Sequence, residues 1–127
     1  MSRTVCTLDD TRFDTLEGFY EEVSQRLTPG MAYARNLDAL DDILWGGFGT
    51  PDDGFILVWK NSDRSRAVLG YDETIGQLQK RLERCHPLSR RHVERELGAA
   101  KRRVGPTVFD WLVEIFHDHE NIELRLE

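Results

Sequence analysis

The sequence predicts an α/β fold, in which a small three-stranded parallel sheet is covered by helices and the middle of the chain carries a helical insertion. The apolar, β-prone run FILVW at 55–59 is typical of a strand buried on both faces. Two shorter strand-like runs, TVCTL at 4–8 and IELRL at 122–126, lie far from it along the chain. Helical patterns separate the three runs, and such alternation favours parallel strands.

The first helix is predicted over 15–27. Its apolar residues fall at i, i+3, i+4, i+7 and i+11, which places them on one face: Leu16, Phe19, Tyr20, Val23 and Leu27. Asp14 or Thr15 can cap its N-terminus. The sequence Thr28-Pro29-Gly30 ends it.

A short second helix is predicted up to about Leu44, with Asn36 as its N-cap. Its apolar residues share one face: Leu37, Leu40, Ile43 and Leu44. Its acidic residues share the other: Asp38, Asp41 and Asp42. Gly46-Gly47 ends the helix, so the segment presents an acidic surface beside a glycine-rich loop.

The insertion at about 61–105 is predicted to be helical in two amphipathic stretches, separated by a break at His86-Pro87. The apolar stripe of the first stretch is Ile75, Leu78, Leu82 and Cys85; that of the second is Val93, Leu97, Ala100 and Val104. A last helix is predicted to start at Pro106, the favoured first-turn position, and to precede the edge strand at 122–126.

Length and composition predict one domain over 1–127, with a single hydrophobic core. No apolar run approaches the roughly 20 residues that span a bilayer, and no secretory signal is recognisable, so the expected location is the cytoplasm. Cys6 and Cys85 are expected to be reduced. A monomer without metal or cofactor is expected.

The acidic residues are concentrated in the first half of the chain. The net charge is −6 overall. Residues 1–60 hold five Lys or Arg and eleven Asp or Glu, whereas residues 61–127 hold twelve of each. An acidic face repels nucleic acid and attracts a basic protein. Nucleases are a natural class of such partners, so a basic protein partner is expected and nucleic acid is not.

The stretch YARNLDALDDIL at 33–44, followed at the right distance by FILVWK at 55–60, resembles the signature of the barstar family. The resemblance covers about 3–60 and 106–126. It implies an inhibitor of barnase-type ribonucleases, extracellular or toxin enzymes that are basic. Inhibition in that family needs no chemistry, because the acidic helix and adjacent loop plug the nuclease active site and a carboxylate takes the place of a substrate phosphate.

The resemblance also implies the site residues. Asp42 matches the phosphate-mimicking carboxylate, Asp38 a second acidic contact, Tyr33 an interface tyrosine and Gly46 the loop glycine. Asn36, Asp41 and Trp45 complete the expected surface on the helix and its flanks. A further acidic contact on the last helix falls on Glu114 in an ungapped count from Ile122, or on Asp118 in a gapped one.

Several aromatic contacts of the family pattern are missing. Ala32 replaces a second tyrosine, Asp41 replaces an aromatic between the two aspartates, and Gly47 replaces one after the loop glycine. Arg35 occupies a position at which the family pattern has an acidic residue. Because aromatic anchors often dominate interfaces, a target other than barnase itself is expected.

Three other functions fit parts of the sequence. The segment 80–103 holds nine basic and three acidic residues, which would suit a nucleic-acid-binding regulator, but its paired acids, its apolar periodicity and the overall acidity favour a solvated, salt-bridged helix face. A protein-interaction module with a non-nuclease target is the second, and a carboxylate hydrolase without a visible base is the third. The pair His117 and His119 diverges on a helix, so a polar helix end is predicted there instead of a metal site.

Overall fold

The computed structural model describes residues 4–9, 13–27, 37–44 and 54–127. Its three strands are β1 (Thr4–Asp9), β2 (Phe55–Lys60) and β3 (Ile122–Leu126). They form one sheet in the order β1-β2-β3, and both pairings are parallel. The predicted α/β fold with a three-stranded parallel sheet is therefore confirmed.

The central strand β2 supplies much of the core. Phe55, Leu57 and Trp59 lie on one face of the strand and are completely buried. On the other face Val58 is buried and Ile56 is partly buried, so the unbroken apolar run is covered on both faces as predicted. The indole Nε1 of Trp59 donates a hydrogen bond of 2.7 Å to Oγ of Ser65, which is also fully buried. This bond ties β2 to the helix that follows it and satisfies the one polar atom of the tryptophan.

Six α-helices are described: α1 (Leu16–Leu27), α2 (Leu37–Leu44), α3 (Ser62–Val68), α4 (Tyr71–Arg84), α5 (Arg90–Lys101) and α6 (Val108–His117). The predicted cap of α1 is Thr15, whose Oγ1 accepts a hydrogen bond of 3.1 Å from the Gly18 N–H. The insertion at 61–105 is helical as predicted. A short 3₁₀ turn (Pro87–Ser89) marks the expected break between α4 and α5.

Helices α4 and α5 pack together around a small core of their own. Leu78 of α4 and Val93, Leu97 and Ala100 of α5 are buried there, as the two amphipathic patterns predict. Trp111 of α6 packs against both this cluster and the main core. Trp111 therefore joins the α4–α5 hairpin to the main core.

Val104 does not continue the buried stripe of α5, and the prediction that it would was wrong: it is 58% exposed. Helix α5 ends before it because Arg103 adopts a left-handed conformation with φ 59°. The Val104 N–H then donates to the Ala99 carbonyl and the Arg103 N–H to the Ala100 carbonyl. These two bonds form a Schellman motif, which turns Val104 out of the helix.

The start of α6 also differs from the prediction. Pro106 lies before the helix, and the N-cap is Thr107. The Thr107 hydroxyl accepts from the Asp110 N–H, while an Asp110 carboxylate oxygen accepts from the Thr107 N–H at 2.9 Å. This reciprocal capping box satisfies the backbone N–H groups of Thr107 and Asp110 and fixes the start of α6.

The two cysteines are both free and partly buried, in agreement with the expectation that they do not pair. Burial raises the pKa of the Cys6 thiol above its ordinary value. A thiol of raised pKa holds less of the reactive thiolate at neutral pH.

Candidate partner-binding site

The candidate site centres on α2, whose apolar face is fixed in the main core. Leu40 and Leu44 are completely buried, and Leu37 is partly buried against the same cluster. The helix packs against α6. Because its apolar face is held in this way, the opposite face is presented to solvent in one orientation.

The carboxylates of that opposite face differ in their surroundings. Asp38 and Asp42 are exposed, one helical turn apart. Asp38 lies in the first turn of α2, where the helix dipole favours a negative charge. The described residues of α2 therefore have the predicted apolar and acidic faces, and two carboxylates of the acidic face are open to solvent.

Asp41 has a different environment from its two neighbours. Its Oδ1 lies 2.7 Å from Nε2 of His119, and the Asp41 side chain is 44% exposed whereas that of His119 is fully buried. A carboxylate accepts and an imidazole N–H donates, so Nε2 is the donor of this bond. The contact joins α2 to the turn between α6 and β3.

His119 is the residue that sequence reasoning missed. The sequence predicts a polar helix end at His117-Asp118-His119, and this is wrong for His119, which is 1% exposed. Its backbone is also held, because its N–H donates to the Phe116 carbonyl and its carbonyl accepts from the Ile122 N–H. No periodicity signals such a residue, because it lies beyond the last turn of α6.

The predicted acidic contact on the last helix has two candidates at this end of α6. Glu114 lies within α6 and Asp118 forms its C-cap, and both are exposed. Asp118 directly precedes His119, whose ring contacts α2, so the end of α6 lies beside the acidic helix. Four further predicted site residues, Tyr33, Asn36, Trp45 and Gly46, lie outside the described residues.

A groove of about 630 Å³ opens beside α2, between α1 and α4. Its lining comprises Leu16, Glu17, Tyr20, Leu37, Asp38, Gln77, Lys80, Arg81, Arg84 and Cys85. The apolar side chains of α1 and α2 therefore share the groove with the cationic side chains Lys80, Arg81 and Arg84 of α4. Asp38 of α2 also lines it. The Arg81 guanidinium stacks over the Trp111 ring at 5.2 Å.

The ion pair between Glu17 and Lys80 spans this groove at 2.6 Å. Burial acts to raise the pKa of the Glu17 carboxyl, but hydrogen bonds from Lys80 and Gln77 outweigh it and the pKa is lowered. The pair is exposed to solvent, so its contribution to stability is small.

A pH dependence follows from that lowered pKa. The stabilisation from Glu17 is complete above the ordinary carboxyl pKa and is lost as the pH falls through the lower pKa of the folded state. We expect Glu17→Gln to unfold slightly more easily at neutral pH, and the difference from the parent chain to vanish in acid. Urea unfolding across a pH series would measure this, and a difference that persisted in acid would contradict it.

Within residues 4–9, 13–27, 37–44 and 54–127, no group of three or more His, Cys, Asp or Glu side chains converges on a point that could hold a metal ion. Among the helices of these ranges, none is both long enough and apolar enough to cross a membrane.

The sequence matches a known protein family. The family model described as Barstar (barnase inhibitor) matches residues 3–92. The match includes α3 and α4, which the sequence resemblance left unaligned, and it stops before α6 and β3, which the resemblance included. None of the curated proteins compared matches the chain. Since the matched residues are well over half of the sequence and their strands and helices form the expected parallel α/β fold, the chain belongs to the Barstar family.

Proposed function

We propose that this protein inhibits a ribonuclease of the barnase type by inserting α2 into the enzyme's active site. The observation that carries the proposal is the pair of exposed carboxylates, Asp38 and Asp42, on a helix whose other face is buried in the core. Family membership supports the same function. The protein acts as a binder and catalyses no reaction.

The chemistry of the target follows from these carboxylates. A ribonuclease active site holds cationic side chains that bind the phosphates of RNA, and a carboxylate of α2 competes for the same donors. Arginine and carboxylate groups form short, charge-assisted hydrogen bonds, often two at a time. The adjacent end of α6, with Glu114 or Asp118, extends the acidic surface. Tyr33, Asn36, Trp45 and Gly46 are proposed as contacts on the flanks of α2.

The biological setting that fits this activity is immunity to a toxic ribonuclease. An inhibitor of this kind acts as a cytoplasmic monomer and neutralises an enzyme made by the same or a neighbouring cell. Binding as a monomer leaves α2 open to the nuclease. A non-nuclease target is the alternative outcome of the test below.

The experiment is a titration of the protein into a panel of barnase-type ribonucleases while RNA cleavage is followed. We expect stoichiometric loss of cleavage for the cognate enzyme and no inhibition by Asp42→Ala at the same concentrations. Asp63→Ala is the matched control, because Asp63 is also an exposed aspartate on a helix, in the first turn of α3. If no enzyme of the panel is inhibited or bound, the proposed target class is wrong.

Ionic strength gives an independent check on the electrostatics. The association rate is expected to fall as salt rises, because the long-range attraction between an acidic inhibitor and a basic enzyme is screened over about 8 Å at physiological ionic strength. Stopped-flow mixing over a salt series measures it. A rate constant that does not change with salt would contradict electrostatic steering.

A further inference from the structure

The outward face of α5 carries a row of arginines that the proposed inhibitor site does not use. Arg91, Arg95 and Arg102 are exposed and, together with Gly98, follow the spacing i, i+4, i+7 and i+11. Such residues form one stripe along a helix. The buried residues of α5 (Val93, Leu97 and Ala100) occupy the opposite side. We call Arg91, Arg95 and Arg102 the arginine stripe.

Among the described residues, the stripe differs from Arg90 and Arg103 beside it in having no acidic partner. Within the described ranges, no ion pair or side-chain hydrogen bond involves the guanidinium of Arg91, Arg95 or Arg102. Arg90 instead binds Glu94 at 3.0 Å, and Arg103 reaches Asp72 at 3.5 Å. Since Glu94 is already engaged by Arg90, the one carboxylate bordering the stripe does not neutralise it.

Gly98 gives the stripe its shape. The three arginines and Glu94 surround a shallow concavity at this glycine. A Cβ placed on Gly98 would meet only Nη1 of Arg102, at 3.8 Å, so the space above the backbone is open. A rounded anionic group can therefore approach the helix between the guanidinium groups.

We propose that the arginine stripe binds the phosphate backbone of double-stranded RNA. Arginine presents a planar fork of donors that matches the oxygens of a phosphate. At a rise of 1.5 Å per residue, the stripe is about 16 Å long, which is enough to meet several phosphates of a duplex. Helix α5 has no Phe, Tyr or Trp on which an unpaired base could stack, and the ring of its one histidine, His92, contacts Glu96 at 2.9 Å. This favours a duplex over a single strand.

The local charge explains why the net charge of the chain misleads here. Between 90 and 103 there are six Lys or Arg and two Asp or Glu, although the whole chain carries −6. At physiological salt, charges farther away than about 8 Å are largely screened. The total charge predicts that nucleic acid is not a partner, but the local positive charge of the arginine stripe favours one.

The choice of RNA over DNA rests on the proposed function, because an inhibitor of a ribonuclease meets that enzyme where its RNA substrate is. The stripe lies on α5, whereas the inhibitory carboxylates lie on α2. RNA binding is therefore measured without any nuclease present, and inhibition is measured separately. A negative result for RNA binding would therefore not count against inhibition, and a negative result for inhibition would not count against RNA binding.

The test is fluorescence anisotropy with a labelled RNA duplex, alongside a DNA duplex of the same length and sequence. We expect the parent chain to bind both duplexes, because the stripe contacts phosphates and not the 2′-hydroxyl that distinguishes RNA from DNA. The triple variant Arg91→Ala, Arg95→Ala, Arg102→Ala should bind RNA at least about tenfold more weakly. The slope of log affinity against log salt should fall by about one for each arginine removed.

The matched control removes the same number of charges from paired cations away from Glu94: Lys80→Ala, Arg103→Ala, Arg125→Ala. It should keep most of the affinity for RNA. The variant Gly98→Gln retains every charge and fills the concavity, and it should also weaken RNA binding. Circular dichroism establishes that each variant is folded.

Three outcomes would overturn the proposal: no binding of the RNA duplex even at low salt, equal loss of affinity in both triple variants, or unchanged binding by Gly98→Gln. The stripe variant should still inhibit whichever ribonuclease the parent chain inhibits.

Discussion

Replacing Asp42 with alanine is expected to weaken the complex with the target ribonuclease by about 2–5 kcal/mol, because the cationic side chains that bind this carboxylate would be left buried and unpaired. This range is typical for the removal of one partner from a buried charge pair in a protein complex, and the complex of barnase with its inhibitor is among the measured examples. Isothermal titration calorimetry or competition kinetics would measure the change.

The stability of the free protein should respond differently to the same substitution. Asp42 is exposed, and its charge lies one turn from that of Asp38. Like charges at this spacing repel each other by a few tenths of a kcal/mol, so Asp42→Ala should leave the free energy of unfolding unchanged or slightly raised. A loss of stability comparable to the loss of affinity would mean that Asp42 supports the fold and does not contact the partner.

The contact between Asp41 and His119 leads to the second large effect. Asp41→Ala removes the carboxylate that accepts from the buried His119 ring, and leaving such a donor without its acceptor typically costs about 1–3 kcal/mol. We also expect weaker binding to the nuclease, because the contact holds α2 against the turn that follows α6. Urea unfolding and the inhibition assay would measure the two effects.

A conservative substitution separates the two roles that Asp41 can have. Asp41→Asn keeps an oxygen that can accept from His119 but removes the negative charge. If Asp41 only positions α2, this variant should retain most of the stability and most of the affinity. If its half-exposed carboxylate also contacts the enzyme, stability should be retained while affinity falls. Wild-type stability in Asp41→Ala would contradict the positioning role.

The elements that could be predicted from the sequence are those governed by local periodicity. FILVW predicts β2 because a strand buried on both faces needs an unbroken apolar run, and Trp59 on one face and Val58 on the other are indeed buried. The two faces of α2 follow from spacings of three and four residues. Both features depend only on neighbours within a few positions of the chain.

The features that could not be predicted depend on contacts between distant residues or on one unusual backbone angle. His119 and Asp41 are 78 residues apart, so no short pattern links them. The end of α5 depends on the left-handed conformation of Arg103, which arginine seldom adopts, and the apolar spacing alone therefore extends the stripe too far, to Val104. The arginine stripe could not be predicted for the same reason, because the sequence alone does not reveal which basic residues have acidic partners.

The order of the strands also bears on how the chain folds during synthesis. The most apolar strand, β2, occupies the middle of the sheet, yet one of its two neighbours, β3, is made only after α3 to α6 have been completed. Until then β2 has an open edge, and unpaired strand edges are prone to aggregate. The nascent protein must therefore delay completion of its sheet, and pairing of this kind between distant segments is intrinsically slow.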